Sequence, residues 1–106
     1  MHHLPFEATL TDALFEHLQV CIAQRPPDAP DMLPSISWCW YSGGPRAGTY
    51  NWAIHFFSRQ YMHHEDIFEL DDVSVHIEAD HRRRLVGRLL DWKEGIGVFE
   101  VESPNV

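Results

Sequence analysis

The 106-residue sequence predicts a single α+β domain, mainly β, and three observations carry that expectation. One segment has helical apolar spacing behind a capping threonine. Several later segments alternate apolar and polar residues with period two, and turns bearing glycine or aspartate separate them at strand-length intervals. A chain of this length buries about two-thirds of its unfolded surface around one core, so residues 1–106 are read as one domain. Apolar residues make up 44% of it and include four Trp and six Phe, enough to fill such a core and too many for a disordered chain.

The helix comes first. In TDALFEHLQVCIAQ, Thr11 is placed as the N-cap, Asp12 suits the positive end of the helix dipole, and Leu14, Leu18, Cys21 and Ile22 share a face. This predicts a helix from Asp12 to Gln24, with Cys21 as a small core residue. In RPPDAPDMLP, Pro26, Pro27, Pro30 and Pro34 remove donors and restrict their neighbours, which predicts an extended connector. Beyond it, ISWCWY alternates Ile36, Trp38 and Trp40 against Ser37, Cys39 and Tyr41. TYNWAIHFF does the same with Tyr50, Trp52, Ile54 and Phe56 against Asn51, Ala53, His55 and Phe57. Both read as strands of a hairpin joined by YSGGPRAG, whose glycines permit unusual backbone angles.

SRQYMHHEDI reads as a polar, exposed segment, followed by a short apolar stretch from Ile67 to Leu70 and a turn at Asp71-Asp72. VSVHI is a half-buried strand with Val73, Val75 and Ile77 on one face. ADHRRRLVGR predicts a short helix capped by Asp80, with Leu85 and Val86 inward and Gly87 near its end. Arg82, Arg83 and Arg84, with Arg88 a turn later, read as its solvated face. LLDW, the turn KEGIG and VFEV form a second hairpin, and Pro104 ends the regular structure.

Composition excludes several function classes. Sixteen acidic against eight basic residues give a formal charge of −8, which repels a phosphate backbone and argues against nucleic-acid binding. Cys21 and Cys39 lie in different elements without CxxC spacing, which argues against a disulfide framework or a zinc finger. The apolar runs are too short to span a bilayer, and MHHLPFEATL lacks the basic flank and apolar stretch of a signal peptide. A cytoplasmic protein without membrane contact is the expectation.

Each candidate for chemistry has a plainer structural reading beside it. YSGGPRAG has glycines and Arg46 but leads into a strand, with Pro45 lacking a donor, so it makes a poor phosphate cradle. His63, His64, Glu65 and Asp66 are adjacent metal-ligand types, yet neighbours on an extended segment point apart, and solvated loop residues are the preferred reading. His76 and His81 straddle a strand-to-helix turn, and His2 and His3 sit near the start of the chain. Cys39 faces away from Trp38 and Trp40, where His55 of the partner strand can lie across from it; this pair is a candidate for thiol catalysis, with packing preferred. Asp71, Asp72, Glu100 and Glu102 read as turn and strand-surface carboxylates.

In order, the elements resemble HesB-like proteins, the A-type iron–sulfur carriers. LTDALFEHL is similar to that family's opening helix, with Ala13 one place earlier than the usual alanine. Leu90-Asp91-Trp92, Glu94-Gly95 and Ser103-Pro104-Asn105 match the signposts of its second half. The resemblance implies a HesB-like fold, with an N-terminal helix and two small meander sheets forming a partial barrel. It also implies a cysteine in the loop after the first long strand and a Cys-x-Cys tail beyond the Asn-Pro-Asn. Here the loop is Ser42-Gly43-Gly44-Pro45-Arg46, with Gly44 at the cysteine position, and only Val106 follows Asn105.

The expectation that follows is a degenerate HesB-like protein, not an enzyme and without a cofactor. It would act as an accessory or protein-interaction module through a protein partner or self-association, with Ser42, Gly43, Gly44 and Arg46 as an interaction loop. The alternatives are an iron or iron–sulfur carrier using Cys39, His55, His63 or His64, and a small enzyme built on Cys39 and His55.

Overall fold

The computed structural model describes residues 1–101, so Glu102 and the Ser103-Pro104-Asn105 signpost lie outside the described residues. Eight strands and two helices follow in the order β1 (His2–Leu4), β2 (Ala8–Leu10), α1 (Asp12–Ala23), β3 (Met32–Tyr41), β4 (Thr49–Ser58), β5 (Ile67–Leu70), β6 (Val73–His76), α2 (Ala79–Leu85), β7 (Leu89–Lys93) and β8 (Gly97–Glu100). The α+β class holds. The meander does not, because each sheet joins two hairpins through a central parallel pairing: β1-β2-β7-β8 through β2 and β7, and β4-β3-β6-β5 through β3 and β6. Among the described residues, the two sheets share no ladder and are not closed into a barrel.

Thr11 caps α1 as expected: its hydroxyl accepts from the Leu14 N–H at 3.2 Å and donates to Asp91 of β7 at 2.6 Å. The cap therefore fixes both the start of the helix and its seat on the first sheet. Leu14 and Leu18 are fully buried with Leu10, Ile36, Trp52, Val75 and Leu90, and each such side chain stabilises the fold by about 1.5–3 kcal/mol. The indole N–H of Trp52 donates to Glu100 at 2.9 Å, tying the edge strand of one sheet to the edge strand of the other.

Several local expectations need correction. β1 and β2 give little alternation of their own; they exist through pairing from His2↔Leu10 to Leu4↔Ala8 and through His2 stacking on Phe15 at 3.8 Å. β3 starts at Met32, inside the expected connector, with Pro34 buried opposite Phe56. Glu78, not Asp80, occupies the N-cap of α2, and Asp80 instead pairs with Arg83 at 2.7 Å in the first turn. Val86 is exposed, since it follows the end of α2.

The arginine cluster is not simply solvated. Arg82 donates to Asp66 at 2.5 Å and to the Ile77 carbonyl at 2.6 Å, while Arg84 lies over the Trp38 ring at 3.9 Å. Asp66 is correspondingly buried at the end of a segment expected to be exposed, which makes 3-10 turns at Arg59–Tyr61 and His64–Asp66. Among the described residues, no helix is long and apolar enough to cross a membrane.

Replacing Thr11 with Val keeps the shape and removes both hydrogen bonds. The expected loss is about 1–2 kcal/mol in urea unfolding, with an unchanged dependence on denaturant; an unchanged midpoint would show that the cap contributes nothing.

Candidate functional site

The β3–β4 hairpin organises the candidate residues. Its ten pairs run without interruption from Met32↔Ser58 to Tyr41↔Thr49, so there is no bulge, and residues alternate between bonding across the ladder and pointing outward. Four hydrogen bonds identify the outward set. The Trp38 N–H donates to His81 Nδ1 at 3.1 Å, the Trp52 N–H donates to its neighbour Asn51 at 2.9 Å, and the Trp52 carbonyl accepts from Tyr41 at 2.5 Å and Arg46 at 3.1 Å. Pro34 has the same parity as Trp38, so its missing N–H costs no rung to β4.

The connecting loop folds back on this ladder. Arg46 serves the Trp52 carbonyl and lies 5.6 Å from the centre of the Tyr41 ring, and Gly48 closes the loop by donating to the Tyr41 carbonyl at 2.8 Å. Gly44 has φ of +77°, which explains a glycine there although a Cβ would meet open space. Ser42 and Gly43 border a cleft of about 480 Å³ with Cys39, His55, His17 and Trp92.

The register places His55 opposite Ser35 and Cys39 opposite Asn51. The two side chains still approach along the same face, with Sγ 4.0 Å from Nε2. That contact exceeds the roughly 2.6–3.2 Å from which a general base abstracts a proton. A second Cys–His pair escaped the sequence reading although its i, i+4 spacing was available: Cys21 Sγ lies 3.5 Å from His17 Nε2 on α1, and His17 stacks on Trp92 at 4.1 Å. Burial pushes the Cys21 thiol up and the His17 imidazole below its ordinary value. Cys21 borders a second, largely apolar cleft of about 330 Å³ with Gln24, Arg25, Pro26, Met32 and Phe56.

The other histidines are dispersed. His63 and His64 are exposed around the second 3-10 turn and do not join Cys39 or His55. His76 is buried and meets the Ser35 hydroxyl at 2.8 Å, while His81 accepts from Trp38, so each has its own partner. Among the described residues, no three His, Cys, Asp or Glu side chains converge as a metal site. Two separated thiols, one with a single histidine beside it on the hairpin and one with a histidine on α1, are the thiol donors that the described residues offer towards the iron–sulfur cluster that the HesB-like resemblance would imply.

No family model matches the sequence, and no curated protein matches it. The fold has a solved counterpart. A protein from Aquifex aeolicus, determined by solution NMR in structural-genomics work, superposes with a TM-score of 0.61 at 20% identity, covering 97% of this chain and 100% of its own. At that identity the likeness concerns the architecture alone.

Burial holds the His76 imidazole below the ordinary value of 6.5, as it does that of His17. Their folded forms resist protonation, so the stability they contribute is complete above that value and falls as pH drops through it towards the lowered values. Urea midpoints should decrease between about pH 7.5 and 5.5, and His76→Gln should flatten part of that slope. A slope unchanged by His76→Gln would assign the effect elsewhere.

Proposed function

We propose that this domain is an accessory, protein-interaction module that does not carry a cluster, a reading in keeping with the degenerate HesB-like kinship suggested by its ordered motifs. One observation carries it. Trp40 and Tyr50, opposite one another towards the loop end of the long hairpin, are 54% and 59% exposed, with ring centres 5.1 Å apart in an edge-to-face arrangement. Two large aromatic rings left partly in water, already ordered against each other, form a rigid anchor that gains most when a partner covers it. β4 adds no Asp, Glu, Lys or Arg, so an approaching protein meets no charge on that strand that must be desolvated.

Cluster carriage ranks lower because Cys39 on β3 and His55 on β4 supply only two donors, apart from His63 and His64 at the second 3-10 turn. A photo-crosslinking residue at position 50, with one at exposed Ile96 as control, should capture a defined protein adduct from position 50 only. Trp40→Ala should weaken that capture by at least about 1 kcal/mol while changing folding stability less. Equal capture from both positions, or a stoichiometric visible chromophore after anaerobic incubation with iron and sulfide, would contradict the proposal.

A further inference from the structure

We propose that the free edge of β4 between Ile54 and Phe56 docks an extended segment of a partner protein, which joins the sheet as an added strand. This rests on reading the domain as an interaction module; Trp40 also lines the first cleft used here, whereas Tyr50 does not.

The ladder parity supplies the first argument. Ile54 and Phe56 share the parity of Trp52, so their N–H and C=O groups point away from β3. Trp52 has both outward groups satisfied by Asn51, Tyr41 and Arg46, whereas those of Ile54 and Phe56 have no hydrogen-bond partner among the described residues. Edges of this kind are usually guarded by charge, proline or a bulge. β4 has none of the three.

The clefts supply the second. Ile54 borders the first with His17 and Trp92, and Phe56 borders the second with Cys21 and Met32. His17 and Cys21 are one helical turn apart, about 6 Å, and two residues of strand span about 6.8 Å, so the clefts succeed each other along α1 and β4 at nearly one spacing. Alternate side chains of an added strand match that spacing, with an aromatic wall at the first cleft and apolar walls at the second.

Charge selects the occupant. The chain carries −8 overall, which disfavours an acidic segment and a second copy, while Arg25 at the second cleft disfavours a basic side chain there, so the occupant is a neutral extended segment. A second copy would also offer only the same short run, because the outward groups at Trp52 are already occupied.

The probe is a displayed library of random octapeptides, followed by a fluorescent synthetic form of the selected sequence and two derivatives N-methylated at alternate nitrogens of opposite parity. Selected peptides should carry apolar residues two apart without an excess of either charge. Methylation of one parity should weaken binding about tenfold, and methylation of the other should leave it nearly unchanged. Equal tolerance of both methylations, failure to select any peptide, or a concentration-dependent dimer in sedimentation would overturn the proposal. Binding that tolerates both methylations but is lost on Trp40→Ala with Tyr50→Ala would overturn the edge while leaving the interaction module standing. Failure of selection together with failure of crosslinking from position 50 would remove both.

Discussion

The alternation of the β3–β4 ladder governs what the rest of the molecule can do. Once Trp38 faces Trp52 as an outward pair, the N–H of Trp38 is available to His81 and the carbonyl of Trp52 is available to Tyr41 and Arg46. A shift of one residue would move every side chain to the other face and turn these main-chain groups inward. The hairpin is thus joined to α2 on one side and closed by its own loop on the other.

Among the described residues, the two sheets meet at their edges without sharing a ladder. Trp52 reaches Glu100 across that seam; the first cleft opens where α1, β8 and β4 approach one another, and the second between α1, β3 and β4. An open seam leaves main-chain groups that full barrel closure would have consumed. The interaction reading follows from this geometry and from the exposed aromatic pair at the hairpin's loop end. Reactive side chains contribute less: Cys39 and His55 touch only at 4.0 Å, and burial raises the Cys21 thiol and lowers the His17 imidazole, away from thiolate and imidazolium.

The helix, the long hairpin and the closing hairpin were legible because each has a local signal: the Thr11 cap, period-two alternation around two tryptophans, and Glu94-Gly95 between short apolar runs. What depended on distant partners was not. β1 and β2 are three-residue strands stabilised by pairing and by α1, and the parallel contact of β3 with β6 is a single register, Ser35↔His76. Arg82 looked solvated because its partner Asp66 lies sixteen residues earlier. For the candidate site, the sequence placed Cys39 and His55 on one face. It could not supply the register, nor the outward parity of Ile54 and Phe56, since alternation alone fixes faces and not which main-chain groups bond.

Amide hydrogen exchange across β4, read residue by residue by NMR, tests this parity most directly. Ala53 and His55 should exchange slowly, Trp52 at an intermediate rate because its N–H is held only by the Asn51 side chain, and Ile54 and Phe56 rapidly. Slow exchange at Ile54 and Phe56 equal to that of Ala53 and His55 would contradict the account.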